Sequence, residues 1–284
     1  MTQFEKTAIL TGSTGGIGQA IAKVLAQQGW NLGLINRSSQ KTSLQLSDLR
    51  NSYPHQAFTG FIANLMDTSE LERVVEEVRS KYTKISALYN VAGFLSDERT
   101  MSPQNIEGHF AINTLAPYFL TQHLRQLLST GTTSNRPSVV VNFSSSAVKS
   151  VKQLDVATLT NPERIGGLMG AYANTKAALA ASSLFIQDEL LEDGILIAIV
   201  DPGPTKTAMT QSSDGMPFLL RLLRPLLFKS AKFQAQKLVD GVEVIVRAKK
   251  SGIFISEGSQ DKHTDLILNK GFQAQVKFLL DQQI

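Results

Sequence analysis

Thr7-Ala8-Ile9-Leu10-Thr11-Gly12-Ser13-Thr14-Gly15-Gly16-Ile17-Gly18 is the stretch that decides the fold. A short apolar run passes into a glycine turn, and the turn opens a helical pattern through Ile21, Val24 and Leu25. A strand, a glycine-rich turn and a helix N-terminus in that order begin a βαβ unit. Gly12 can make the tight turn, Gly16 lets the backbone approach a pyrophosphate, and Gly18 allows close helix–strand packing. Ser13, Thr14 and Ile17 complete the expected binding turn. The exposed amides and the dipole of the helix N-terminus favour an anion there. The spacing is Gly-x-x-x-Gly-x-Gly rather than the shorter GxGxxG form.

Further apolar runs follow at Leu32–Ile35, Ala57–Ile62, Ile85–Tyr89, Ser138–Phe143, Ile195–Val200 and Gly252–Ile255. Between them lie helix-like segments, such as Leu71, Val74, Val75 and Val78 at helical spacing. Nearly continuous apolar strands imply burial on both faces. Their alternation with helices predicts an α/β fold, a single Rossmann-type domain over residues 1–284. The expected core is a doubly wound parallel sheet of about seven strands, with helices on both faces. Residues 147–170 and 212–230 break the rhythm and read as substrate-side insertions.

The length of 284 residues is ample for a large core, and 42% hydrophobic with 18% charged residues fits a soluble globular chain. The absence of cysteine excludes disulfides and thiolate metal sites. The four histidines, His55, His109, His123 and His263, lack ligand spacing, so no metal is expected. Basic residues are spread along a chain of net charge +4 and form no nucleic-acid patch. Met1–Lys6 has no apolar signal region, and no run approaches the ~18–20 residues that span a bilayer. The expected location is cytoplasmic.

The second strand ends in Asn36-Arg37-Ser38. An acidic residue here would bind the adenosine ribose 2′-hydroxyl of a dinucleotide. Arg37 instead offers a guanidinium suited to a 2′-phosphate, with Ser38 as a hydrogen-bond donor. The expected cofactor is therefore NADP(H) rather than NAD(H).

Far downstream, Tyr172-Ala-Asn-Thr-Lys176 places a phenol and an ammonium at i and i+4, on one face of a helix. A phenol of pKa about 10 is a poor acid/base at neutral pH. A neighbouring ammonium favours the phenolate, so the pairing predicts a lowered pKa and an acid/base role for Tyr172.

With these motifs together the chain resembles the short-chain dehydrogenases/reductases over nearly its full length. The matching residues are Gly12 to Gly18, Asn90-Val91-Ala92-Gly93, Asn113, Asn142-Phe143-Ser144-Ser145, Tyr172-x-x-x-Lys176 and Pro202-Gly203. The resemblance implies that Ser145 is the catalytic serine, which would polarise a carbonyl; Ser144 and Ser146 are adjacent alternatives. It implies that Lys176 also bonds the nicotinamide ribose and that Asn113 kinks a helix and binds a water in a proton relay. Asn64 and Leu65 would lie near the adenine, with Asn64 where many relatives carry aspartate. Asn90, Ala92 and Gly93 would line the adenosine-ribose side. Pro202 and Gly203 would open the nicotinamide-side loop, with Thr205 and Thr207 as candidate contacts. The family is commonly dimeric or tetrameric, so a homo-oligomer is expected.

The implied reaction is hydride transfer between NADP(H) and a carbonyl or alcohol, with Tyr172 moving the proton. Residues 212–230 carry Phe218, Phe228 and many leucines, which favours an apolar aldehyde, ketone or alcohol. Their interleaved Arg221, Arg224 and Lys229 leave open a peripheral membrane contact instead of a lid. That run, Gly252–Ser256 and the long stretch before Tyr172 are similar to the retinol-dehydrogenase-like branch. The alternatives are a non-catalytic NADP(H)-binding regulator or scaffold, and an NAD-dependent alcohol dehydrogenase.

Overall fold

The computed structural model describes residues 6–205 and 229–284. Eight strands form one sheet: β1 (Thr7–Thr11), β2 (Asn31–Asn36), β3 (Phe58–Ile62), β4 (Ala87–Asn90), β5 (Ser138–Phe143), β6 (Ile195–Asp201), β7 (Ile253–Ser256) and β8 (Ser259–Asp261). Their order is β3-β2-β1-β4-β5-β6-β7-β8. All neighbouring pairs are parallel except β7 and β8. The sheet is thus the expected parallel one with a short antiparallel strand added at its edge. That addition is a hairpin whose two loop residues, Glu257 and Gly258, both have positive φ, at 50° and 88°. A two-residue hairpin needs this backbone. Glu-Gly is a weaker turn signal than Asn-Gly or Asp-Gly, and sequence reading ended the sheet at Ile255.

Every residue of β1, β2, β4, β5 and β6 is buried. One face packs against α1 (Gly16–Gln27) and α2 (Ser39–Ser52) through Ile21, Leu25 and Leu49. The other packs against α3 (Thr68–Lys81) through Val74 and Val78. On that second face, α4 (Gly108–Phe110), a π-turn (Ala111–Leu115) and α5 (Ala116–His123) run without a break. α6 (Arg125–Gly131) and the long α7 (Ala171–Glu192) complete that layer. α8 (Ala231–Arg247) returns to the first face, burying Leu238, Val239, Val242 and Val246. Strand order reverses between β1 and β4, and the crevice of such a sheet opens outside the carboxyl ends of those strands.

The polar stretch 147–170 is anchored rather than loose. Short 3₁₀ turns at Ser146–Ser150, Val156–Thr158 and Gly167–Met169 carry Val148, Val151, Val156, Leu159 and Ile165 into the core. The other expected insertion, 212–230, lies outside the described residues up to residue 228. Two C-terminal helices, α9 (Asp265–Leu268) and α10 (Lys270–Asp281), were not read from the sequence. Their signals are Thr264 and Asn269 as N-caps and Phe272, Val276 and Leu280 at four-residue intervals. α10 packs on α7, and Tyr118 of α5 donates to Asp281 at 2.6 Å.

Candidate active site

The glycine turn is built by contact. Gly12 has φ +68°, and its N–H donates to the Ile35 carbonyl at 3.0 Å. A Cβ on Gly12 would sit 2.8 Å from Ala92 Cα, and one on Gly18 would sit 2.3 Å from the Gly12 carbonyl oxygen. Both positions therefore exclude a side chain, and the turn is drawn tight against the end of β4. Ser13 is fully buried; its hydroxyl donates to Gln45 Oε1 at 2.9 Å and accepts from Asn36 Nδ2 at 3.0 Å. Gln45 Nε2 closes the ring on the Ser13 carbonyl at 2.7 Å. The Ser13 side chain thus shapes the turn from within, and Gln45 is a partner that local sequence gave no reason to pick. Thr14, Gly16 and Ile17 are half-buried at the mouth of the turn.

Arg37 follows β2 directly, is exposed, and has no ion-pair partner among the described residues. Ser38 caps α2, its oxygen accepting from Lys41 N–H at 3.3 Å. That leaves its hydroxyl proton free to donate. Beyond β3, Asn64 N–H donates to Glu70 Oε2 at 2.8 Å, and its side-chain oxygen accepts from Met66 N–H at 3.3 Å. Leu65 beside it is buried.

Asn90 at the end of β4 donates to Asn142 Oδ1 at 2.8 Å, and Asn142 donates to Ser183 Oγ at 2.9 Å. This chain ties β4, β5 and α7 together. Ala92 N–H donates to Thr11 Oγ1 at 3.1 Å, so the segment holding Gly93 starts beside the glycine turn.

Tyr172 and Lys176 lie in the first turns of α7, with Lys176 Nζ 5.9 Å from the Tyr172 ring centroid. Lys176 is buried, and Nζ donates to the Phe143 carbonyl at 2.6 Å. The strand end after Phe143 separates three serines by environment. Ser144 is buried, its hydroxyl donating to the Lys176 carbonyl at 3.2 Å. Ser146 is exposed, and its backbone N–H bonds the Asp201 carboxylate. Ser145 is the one whose hydroxyl faces the Tyr172 phenol closely enough to favour its ionised form.

Burial dominates the titration of this pair. It pushes the Tyr172 phenol up to about 12, helped by the Asp201 charge and opposed by the Ser145 hydrogen bond. Burial also pulls Lys176 down to about 7. The phenol is therefore not lowered as the spacing predicts: burial holds each group toward its neutral form.

Asn113 lies inside the π-turn, fully buried. Its side chain clamps Phe94, accepting from the N–H at 2.8 Å and donating to the carbonyl at 2.9 Å. A π-turn displaces the regular i→i−4 ladder and frees backbone acceptors at such positions.

Beyond β6, Gly203 has φ +66° and donates its N–H to Asp201 Oδ1 at 2.9 Å. Thr205 is buried, its hydroxyl 3.0 Å from the Gly203 carbonyl. Gln234 Nε2 of α8 donates to the Pro202 carbonyl at 2.5 Å. Thr207 lies outside the described residues. Asp201 was not singled out from sequence, although Asp-Pro-Gly is a turn signature in which aspartate caps its own backbone.

Comparison with known proteins gives a consistent picture. A family model described as short chain dehydrogenase matches residues 6–216. The chain is 26% identical over 239 residues to retinol dehydrogenase 12 of Mus musculus, covering 81% of this chain and 71% of that protein. It is 26% identical over 229 residues to polyprenol dehydrogenase of Homo sapiens, covering 80% and 69%. Among solved structures, the Pseudomonas aeruginosa RhlG/NADP active-site complex superposes with a TM-score of 0.70 at 20% identity, over 94% of this chain and 96% of that one. That last likeness speaks to the fold alone. Among the described residues no helix is long and apolar enough to cross a membrane. With its glycine turn, its serine–tyrosine contact and a family match over most of its length, this chain belongs to the short-chain dehydrogenase family.

Proposed function

We propose that this chain is an NADP(H)-dependent oxidoreductase that interconverts a hydrophobic aldehyde or ketone and its alcohol. The observation that carries the reading is the convergence of Ser145, Tyr172 and buried Lys176, with Lys176 Nζ 5.9 Å from the Tyr172 ring and bonded to the strand end that carries Ser145. The residues present fit the cofactor: Gly12 and Gly18 leave no room for a side chain where backbone must approach a pyrophosphate. Gly12, Ser13, Thr14, Gly16, Ile17 and Gly18 would hold that pyrophosphate at the α1 N-terminus. Unpaired Arg37, with Ser38, would take a 2′-phosphate. Asn64, Leu65, Asn90, Ala92 and Gly93 would flank the adenosine, and Pro202, Gly203, Thr205 and Thr207 the nicotinamide.

Bound there, the nicotinamide supplies or accepts the hydride. Tyr172, kept protonated by burial, gives its hydroxyl proton to the substrate oxygen in reduction and takes it back in oxidation. Ser145 orients that oxygen and stabilises its developing charge. Lys176 bonds the nicotinamide ribose and, with the π-turn backbone at Asn113, relays the proton outward.

The apolar sequence of residues 212–228 supports a lipophilic substrate, as do relatives named for retinol and polyprenol. For assembly and location we read a cytoplasmic homo-oligomer, dimer or tetramer, in which residues 212–230 form a substrate lid, with peripheral membrane contact as the alternative. The test is NADPH and NADH consumption with a panel of octanal, 2-decanone and all-trans-retinal, for the parent chain and Tyr172→Phe. Turnover should require Tyr172, while NADPH binding survives its loss. Normal turnover in Tyr172→Phe would sink the mechanism, and absence of turnover with every panel member would favour the non-catalytic binding role.

A further inference from the structure

Asp201 ends β6 and is 3% exposed, yet it has no cationic partner among the described residues. Three donors converge on its carboxylate instead. Gly203 N–H reaches Oδ1 at 2.9 Å, the Ser256 hydroxyl reaches Oδ2 at 3.3 Å, and the Ser146 backbone N–H faces the carboxylate closely enough to favour its charge. These donors come from the ends of three adjacent strands, β5, β6 and β7. A second contact reinforces the junction: Glu257 N–H donates to the Asp201 carbonyl at 2.9 Å.

Holding a carboxylate this deeply costs free energy unless its hydrogen bonds are complete. A neutral side chain would close the Gly203 turn equally well. What a carboxylate adds is two oxygens that accept from several donors at once. Here they join the turn carrying Ser145 to the loop carrying Pro202 and Gly203.

We propose that Asp201 is a positioning residue, which fixes Ser145 and the Pro202–Gly203 loop relative to each other through one shared carboxylate. The inference rests on the reading of Ser145 and Tyr172 given above. It separates from the canonical four-residue set because Asp201 reaches Ser145 only through the neighbouring Ser146 amide. The same charge stands close enough to Tyr172 to favour the protonated phenol. The ionisable groups around this junction are Tyr172 and Lys176 on α7, Glu257 with its partner Lys229, the Lys149–Asp261 pair at the rim, and Lys237 on α8 beside Gly258. Asp201→Asn removes the Asp201 charge and leaves these groups in place.

The test uses the full chain with two variants. Asp201→Asn keeps the shape and loses the charge; Asp201→Ser keeps an oxygen able to cap Gly203 but is too short to span to Ser146 as well. Hydrogen exchange is read on peptides covering 144–148 and 202–205. In Asp201→Asn the 144–148 peptide should exchange about 10-fold faster, while the 202–205 peptide, whose Gly203 N–H keeps an amide oxygen to bond, and peptides from β5 and β6 stay protected. In Asp201→Ser the 144–148 peptide alone should lose protection. With NADPH and the most active carbonyl of octanal, 2-decanone and all-trans-retinal, kcat should fall about 10-fold or more with little change in KM, since geometry rather than binding is lost. The alkaline limb of the reduction profile should move to lower pH in Asp201→Asn. Unchanged exchange at 144–148 in both variants, or an unchanged kcat and pH limb in a folded Asp201→Asn, overturns the proposal. If Tyr172→Phe keeps normal turnover, the mechanism fails while the exchange result still judges the tether. If Tyr172→Phe is inactive and Asp201→Asn is normal, only the role of Asp201 fails.

Discussion

Lys176 Nζ donates a 2.6 Å hydrogen bond to the carbonyl oxygen of Phe143, the last residue of β5. The bond pins the lysine under the strand end from which Ser144 and Ser145 emerge. It also makes Lys176 a buried base with a single protein acceptor assigned to it, and burial holds its pKa near 7.

A pH prediction follows from that value. The folded pKa of about 7 lies below the ordinary 10.5, so between those limits the unfolded chain binds more protons than the folded one. Stability contributed by this site therefore rises with pH across that window, and the cost of burying the charge is full below pH 7. Lys176→Met should raise the unfolding free energy by about 1–3 kcal/mol at pH 6, with a smaller gain at pH 9. Urea melts at the two pH values check the sign. The same variant should be inactive. NADPH binding by the parent chain at pH 8 should take up a proton, because ribose hydroxyls favour the ammonium. Calorimetry in buffers of different ionisation enthalpy measures that uptake, and a value of zero would remove Lys176 from the ribose contact.

Ser145 and its two neighbours should separate by function. Of the three, Ser145 is the one that faces Tyr172, so Ser145→Ala should lower kcat by about 10²–10³-fold. Ser146→Ala removes only an exposed hydroxyl and should leave kcat at the parent level. Ser144→Ala loses a buried bond to the Lys176 carbonyl and should cost about 1 kcal/mol of stability. Steady-state kinetics and melts of the three variants check this order.

Arg37 should set cofactor choice. It is exposed and unpaired beside the glycine turn, and a charge-assisted contact to a 2′-phosphate is worth about 1.5–3 kcal/mol. Arg37→Gln should therefore weaken NADPH binding by about 10–100-fold and leave NADH binding unchanged. Titration of cofactor fluorescence distinguishes the two. Equal losses for both cofactors would return Arg37 to an ordinary surface role.

At the opposite, amino-terminal ends of the strands, Arg136 grips Glu243 with two bonds of 2.6 and 2.8 Å and lies 5.3 Å from the ring centroid of Trp30, the only tryptophan. Burial works against ionisation of Glu243, but the Arg136 bonds and charge, with Lys6 and Arg247, hold its pKa below the usual 4.5. That stability is complete above the unfolded pKa of 4.5 and is lost as pH falls through the lower folded value. Glu243→Gln should cost about 1–3 kcal/mol at pH 7, with the difference shrinking in acid. Trp30 fluorescence during urea unfolding reads it directly.

Local sequence carried the architecture and nominated the candidate site residues. Nearly continuous apolar runs force strands to be buried on both faces, and alternation with helices then leaves the doubly wound parallel sheet as the natural solution. Gly12, Gly18, Tyr172 and Lys176 were legible because turn geometry and helical spacing are local properties. The helices after residue 264 carried usable cap and periodicity signals that went unread, and β8 hung on a weak Glu-Gly turn. Tertiary structure alone decided what no local pattern contains. It gave Ser145 to Tyr172 and tied Ser144 to Lys176, because three adjacent serines at a strand end differ only in what α7 and β6 bring to each. It raised the Tyr172 phenol that its spacing from Lys176 was expected to lower, because desolvation depends on burial and spacing along a helix says nothing about burial. It also brought Asp201 beneath the turn of Ser146, across 55 positions of chain, because parallel pairing of β5 with β6 aligns their carboxyl ends.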